Sequence, residues 1–178
     1  AAVDTDFKIT NGYNSFVNQV IPHAGGFLVV GSFNNFENEA STTKYINGIH
    51  LLNSLGQSAT SMDFRRGATG SILSIAKLSN GQFMIGGYLS GYSRRPIGGL
   101  TRLNANGSLD SLTVAVINPD SENKPLDGFD TVATFNGGLQ GSVNNLFPTA
   151  EDGVIAVGSF FNHYRIDYNY SSRENKRF

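Results

Sequence analysis

The chain has 178 residues, enough for one domain with an apolar core. Only 15% of the residues are charged and 39% are apolar, a balance that favours an all-β exterior protein over a helical cytosolic enzyme. The net charge of −1 excludes a global basic field for nucleic acid, and the lack of cysteine excludes disulfides, thiolate nucleophiles and cysteine-ligated zinc within these residues. No apolar run reaches about 18 residues, so no membrane span is predicted.

Short apolar runs between Gly and Asn turns predict a series of strands along the chain. In chain order they lie at 17–21, 27–33, 45–52, 59–64, 72–77, 83–88, 96–103, 112–117, 143–147 and 154–160. The runs at 59–64 and 112–117 carry the weaker pattern. Within the long segment 110–141, the stretch NPDSENKPLDG (118–128) is expected to project as a polar loop. The basic tail 173–177 is expected to be a solvated end rather than a nucleic-acid patch.

Three blocks of sequence recur in the same order. The first is an apolar block that begins at Val17, Ile72 or Val143, and the second is a glycine motif that reads GFLVVGSF (26–33), GQFMIGGY (81–88) or GVIAVGSF (153–160). The third is INGIHLLNSLGQ (46–57), which matches IGGLTRLNANGS (97–108). Such recurrence indicates a repeat protein, here a single β-repeat domain with units at about 16–70, 71–141 and 142–178.

The glycine pair Gly86-Gly87 has two possible interpretations. A phosphate-binding loop would lead from a strand into a helix, but Pro96 opposes a helix after this motif. Paired glycines within a strand indicate instead a bulge or the close approach of neighbouring β-layers. The structural interpretation is favoured, and the aromatic residue that follows each motif (Phe33, Tyr88 and Phe160) is expected to be a packing anchor.

The stretch LSNGQFMIGGYLSGYSRRPIGGLTRLNANGSLD (78–110) resembles the delta-60 repeat family of bacterial β-propeller-like proteins. Units of that family read as an apolar strand, an Asn/Asp-Gly turn, an apolar-Gly-Gly-Phe motif and an Arg-Ile-x-x-Leu-Asn-x-x-Gly-x-Leu-Asp segment. VDTDF (3–7) and SMDF (61–64) resemble the family's Leu-Asp-Thr-x-Phe ending. The resemblance implies an all-β, propeller-like repeat of short antiparallel sheets.

The chain also departs from the family pattern. Segment 110–141 is longer than a family linker, and the third unit stops at YSSRENKRF, before its last strand is complete. Three sheets are fewer than a closed propeller needs. The expectation is therefore an incomplete propeller or a fragment of a longer array.

The resemblance also implies a function. Family members are often exported, and some are outer-surface lipoproteins beside TonB-dependent nutrient importers. This implies an extracytoplasmic, non-catalytic scaffold or binding module whose partners are other proteins of an outer-membrane complex; a lipid-bearing cysteine is not among these residues. A carbohydrate-binding or glycoside-processing propeller, with a glycan as ligand, is the alternative, and a purely structural spacer is a third reading.

The candidate chemistry is sparse. His23, His50 and His163 lack metal-ligand spacing, so each is interpreted as structural. No Gly-x-Ser-x-Gly elbow or calcium loop is present. The sequence therefore predicts no catalytic residue, no cofactor and no metal site. The tripeptides Asp110-Ser111-Leu112 and Asp130-Thr131-Val132 are similar to an O-glycan acceptor pattern of some gut-type bacteria, with Ser111 and Thr131 at the acceptor position.

Aromatic and basic residues follow each glycine motif and suggest a contact surface. The candidate residues are Phe36, Tyr92, Arg94, Arg95, Tyr164 and Arg165. Loops of successive sheets cluster on one face, and Tyr and Arg are favoured in protein contacts. The alternative is that the aromatic side chains pack back onto their own sheets.

Overall fold

A computed structural model describes residues 6–7, 11–37, 46–115, 129–135, 138–169 and 172–177, with the backbone alone described at 114–115, 129–131, 162–169 and 172–177. These residues form strands and no helix. The strands are β1 (Gly12–Tyr13), β2 (Val17–His23), β3 (Gly26–Gly31), β4 (Phe36–Glu37), β5 (Ile49–Leu52), β6 (Ala68–Lys77), β7 (Phe83–Tyr92), β8 (Arg95–Pro96), β9 (Leu100–Leu103), β10 (Ser111–Ala115), β11 (Phe129–Ala133), β12 (Leu139–Pro148), β13 (Val154–Asn169) and β14 (Ser172–Arg177).

The strands assemble into small antiparallel sheets, none of which is closed in the described part of the chain. Sheet I contains β2, β3 and β5, and sheet II contains β6, β7, β8 and β9. Sheet III contains β12, β13 and β14. Two further ribbons pair β1 with β4 and β10 with β11. The all-β class expected from the sequence is confirmed.

The first two strands of each sheet pair in the same register. A glycine of the second strand lies opposite an apolar residue of the first, and a bulged residue follows: Val17–Gly31, Ile72–Gly87 and Val143–Gly158. A Cβ on each glycine would lie 2.1 Å from the carbonyl oxygen of the preceding residue on the first strand, Phe16, Ser71 or Ser142. The glycine is therefore required by the backbone, and these ladders define corresponding positions in the three sheets.

The ladders shift the sequence-based alignment by one residue. Gly31 corresponds to Gly87, not to Gly86, because the turn between β2 and β3 is one residue shorter than the turns of the other two hairpins. Phe33 consequently corresponds to Leu89, and both are buried. Tyr88, predicted to be a packing anchor, lies on the opposite face and is exposed. Phe160 is exposed as well, so the prediction is wrong for Tyr88 and Phe160 and confirmed for Phe33.

The three sheets stack in chain order. One apolar cluster joins sheets I and II, and a second joins sheets II and III. The first includes Leu28, Val30, Ile72 and Ile75, and the second includes Ala76, Met84, Val143 and Leu146. We call the side of a sheet that faces the preceding sheet its head face, and the side that faces the following sheet its tail face. The head face of sheet I and the tail face of sheet III are the sides turned away from sheet II.

The two segments that resemble the family's Leu-Asp-Thr-x-Phe ending each place a phenylalanine ring against a turn glycine. The ring of Phe7 lies 3.2 Å from the Cβ position of Gly56, and the ring of Phe64 lies 2.7 Å from that of Gly107. Gly56 and Gly107 close corresponding turns after β5 and β9. The strand predicted at 59–64 is wrong, because this segment is irregular and carries Phe64 across to the next turn.

The long insertion contains a hairpin that the sequence interpretation missed in part. β10 corresponds to the strand predicted at 112–117, and its partner β11 was not predicted. The polar loop expected at 118–128 lies outside the described residues. The alternation in Phe-Asp-Thr-Val-Ala at 129–133 is the signal that predicts β11. The tail 173–177 pairs with β13 rather than ending as an unpaired segment. Ser111 lies exposed in β10, and Thr131 lies in β11.

Candidate functional site

The aromatic residues of the predicted contact surface are buried where their side chains are described. Phe36 and Tyr92 occupy corresponding positions, five residues after Gly31 and Gly87. The ring of Phe36 packs 4.7 Å from that of Tyr13, and the hydroxyl of Tyr92 donates a 2.9 Å hydrogen bond to the carbonyl of Gly107. Phe36 and Tyr92 are therefore not part of an exposed contact surface. Both rings are buried within the fold, because removing their apolar area from water is favourable.

The basic residues of that surface lie at a tight turn. Ser93 and Arg94, with φ of 48° and 70°, connect β7 to β8 as a two-residue hairpin loop. Arg94 is exposed and Arg95 is half-buried. Tyr164 and Arg165 lie in β13, opposite Arg177 and Lys176, and their side chains lie outside the described residues. Among the four candidates whose side chains are described, the two aromatic residues are buried, so these four do not form one exposed surface.

A polar trio of Tyr13, His50 and Ser58 lies beside sheet I. Nδ1 of His50 is 3.0 Å from the hydroxyl of Tyr13, and Nε2 is 3.1 Å from Oγ of Ser58. A cleft of about 250 Å³, lined in part by His50, Ser58, Asp63 and Arg65, adjoins the trio. The third member is a tyrosine, whose pKa is raised by burial. A neutral hydroxyl does not stabilise an imidazolium as the carboxylate of a hydrolase triad does, so the trio is interpreted as structural.

His23 links the first two sheets. Its ring meets the ring of Phe83 edge to face at 5.2 Å, and its pKa is lowered by partial burial and by the nearby charge of Lys77. His163 lies in β13, with its side chain outside the described residues. Within the described part of the chain, no group of three His, Cys, Asp or Glu side chains is placed to hold a metal ion.

The tail face of sheet III carries an exposed apolar set that the sequence interpretation missed. Phe147, Ile155 and Val157 are 54%, 59% and 48% exposed. The corresponding side chains of sheet II, Ala76 and Met84, are 4% exposed against sheet III. Because Val143, Leu146, Val154 and Ala156 point toward sheet II, strand alternation directs this apolar set away from it. The available signal was the uninterrupted apolar run at 154–157, which places apolar side chains on both faces of the strand.

The head face of sheet I is the complementary feature at the other end of the stack. Val17 and Val20 are 43% and 48% exposed. The corresponding residues of sheet II, Ile72 and Ile75, are 0% and 1% exposed against sheet I. Phe7 and Tyr13 cover the side of sheet I around β3 and β5, packing on Phe27 and Phe33, and leave this part of the edge strand β2 open.

Polar side chains bridge the stacked sheets at one repeated position. Oε1 of Gln19 in sheet I accepts hydrogen bonds from Ser74 Oγ and from the backbone N–H of Ile75 in sheet II, at 2.9 and 2.8 Å. Ser74 holds the position corresponding to Gln19, and its Oγ accepts the backbone N–H of Leu146 in sheet III at 3.1 Å. The next position in this series is Asn145, which is exposed on the tail face of sheet III.

Comparisons with protein-family models, with curated proteins and with solved structures give no match to this chain. The described residues also contain no helix long and apolar enough to cross a membrane. The class that the coordinates define is therefore an all-β protein of small stacked antiparallel sheets, with an exposed apolar face at each end of the stack.

Proposed function

We propose that this chain is a non-catalytic, propeller-like β-repeat scaffold that binds other proteins through the ends of its sheet stack. The observation that carries the proposal is the tail face of sheet III, where Phe147, Ile155 and Val157 are exposed side by side. Contiguous exposed apolar patches on soluble proteins mark interaction sites. Complete burial of one such side chain against a partner contributes about 1.5–3 kcal/mol to the free energy of binding.

The proposed setting is extracytoplasmic. The low content of charged residues and the resemblance to the delta-60 repeat family support this setting. The proposed partners are proteins of an outer-membrane surface complex, and an accessory role in nutrient uptake follows from the same resemblance. A carbohydrate-binding propeller is not put forward, because Tyr92, one of the aromatic side chains proposed to hold the sugar, is buried.

Affinity capture tests the proposal. Baits of the native chain, of Ile155→Glu and of Tyr88→Glu are incubated with detergent-solubilised outer membranes from the producing bacterium. Tyr88 is the matched control, because it is equally exposed but lies in sheet II. We expect one or more outer-membrane proteins to be enriched about tenfold by the native and Tyr88→Glu baits, and that enrichment to be lost with Ile155→Glu. Equal capture by all three baits, or no capture, would contradict the proposal.

A further inference from the structure

The two end faces of the stack are the two halves of an interface that the molecule already makes twice. Sheet I presents its tail face to the head face of sheet II, and sheet II does the same to sheet III. The head face of sheet I and the tail face of sheet III are the unpaired halves among the described sheets. We propose that two copies of this chain bind head to tail, with the tail face of sheet III in one copy against the head face of sheet I in the other. This rests on the proposed function, since it names the partner of the same face.

The apolar positions correspond one to one. Val157 lies where sheet I has Val30, and Ile155 lies where sheet I has Leu28. Leu28 and Val30 pack in one cluster with Ile72 and Ile75, the residues of sheet II that correspond to Val17 and Val20. In the pair of copies, Val157 therefore packs on Val17 and Val20, as Val30 packs on Ile72 and Ile75.

The polar positions also correspond. Asn18 donates a 2.8 Å hydrogen bond to the carbonyl of Ile72 in the next sheet. Asn144 holds the same bulged position in sheet III and is exposed. Its amide therefore donates to the carbonyl of Val17 in the second copy. Asn145, which corresponds to Gln19 and Ser74, reaches the backbone of Val20 in that copy in the same way.

The direction of stacking determines the symmetry of the contact. Both internal interfaces join a tail face to a head face, so the contact between copies is heterologous. Heterologous contacts close into rings or extend into filaments, whereas a two-fold dimer would join tail to tail. Head-to-tail association is therefore distinguishable from an ordinary symmetric dimer.

Cysteine cross-linking tests the arrangement, because the native chain contains no cysteine. Val17→Cys and Val157→Cys are prepared separately; both sites are exposed, and circular dichroism checks that each variant folds. After mixing and mild oxidation, we expect a Val17→Cys to Val157→Cys disulfide at least about tenfold more abundant than either self-linked dimer. Tyr88→Cys mixed with Val17→Cys is the control and should cross-link only at background level.

Each other outcome overturns the proposal. Preferential self-linking of Val157→Cys would show a tail-to-tail dimer. Equal amounts of all products, or none, would show that purified copies do not associate head to tail. Such a result would not decide the proposed function. The membrane capture experiment tests that proposal separately, because it asks whether a different protein binds the tail face. Sedimentation of the native chain and of Ile155→Lys gives an independent measurement, and we expect association in the native chain alone.

Discussion

Gly86 of sheet II lies directly against Val143 of sheet III. A Cβ at Gly86 would stand 2.6 Å from Val143 Cγ1, closer than Cβ atoms approach in proteins, and 3.3 Å from Leu146 Cδ1, which is tighter than most contacts. The neighbouring Gly87 instead faces its own sheet, with the carbonyl of Ser71 at 2.1 Å from the Cβ position. One glycine of the pair thus serves packing between sheets, and the other serves pairing within a sheet.

Substitution of the first glycine tests the packing between sheets II and III. Gly86→Ala should lower the free energy of unfolding by about 1–3 kcal/mol, because Val143 must shift within a packed cluster. Urea denaturation measures the loss. In Gly86→Ala/Val143→Ala the shortened side chain makes room, so the double variant should lose less than the sum of the two single variants. Strictly additive losses would contradict the contact.

Substitution of the second glycine should cost more. A methyl group on Gly87 meets a backbone carbonyl that no rotamer change can move, so we expect Gly87→Ala to lose about 3 kcal/mol or more. Gly31→Ala and Gly158→Ala make the same clash and are the matched comparisons. Urea denaturation, or soluble yield where the variant does not fold, ranks the variants. A loss for Gly87→Ala smaller than that for Gly86→Ala would be inconsistent with the shared register.

The buried hydroxyl of Tyr92 predicts a dependence of stability on alkaline pH. Burial, and to a smaller extent the charge of Asp63, raises the pKa of Tyr92 above its ordinary value of about 10. The stabilisation from the neutral hydroxyl is therefore complete below about pH 10 and is lost as pH rises above it.

The native chain and Tyr92→Phe are the pair to compare by urea denaturation. At neutral pH the variant should be less stable by about 1–2 kcal/mol, because the carbonyl of Gly107 loses its donor. That difference should shrink or reverse above about pH 10, where only the native chain ionises at this position. Tyr13, whose pKa is also raised by burial, is present in both proteins and cancels. A difference independent of pH would contradict the assignment.

A hydrogen bond joins the turns of sheets II and III. The hydroxyl of Ser79 donates to Oδ1 of Asp152, and the backbone N–H of Asn80 donates to the same atom at 3.2 Å. The Ser79 hydroxyl is the main cause of a lowered pKa at Asp152. Stabilisation from this group is present above the pKa of the unfolded chain and is lost as pH falls through the folded value.

Carboxyl NMR titration measures the pKa of Asp152 directly. Ser79→Ala should raise it toward the ordinary value, because the charge-assisted hydrogen bond is removed. Ser32→Ala, an exposed serine of sheet I, is the control and should leave it unchanged. An unchanged pKa in Ser79→Ala would show that the two turns are not joined in solution.

The sequence by itself determined the local elements. Alternating apolar residues and Gly or Asn turns predict the hairpins that form β2 with β3, β6 with β7, and β12 with β13. The turn at Asn104–Gly107 is equally local, since its hydrogen bonds run between near neighbours. The structural role of the Gly86-Gly87 pair also followed from the sequence, because a glycine pair inside a strand has few other physical uses.

The tertiary structure decided register and burial. The turn between β2 and β3 is one residue shorter than the turn between β6 and β7, so Gly31 corresponds to Gly87 rather than to Gly86. Because side chains alternate along a strand, this difference of one residue places Tyr88 in solvent and Leu89 in the core. Ala76 and Phe147 hold corresponding positions, yet one is buried and the other exposed. Local sequence cannot distinguish them, because burial there depends on whether another sheet lies against the tail face.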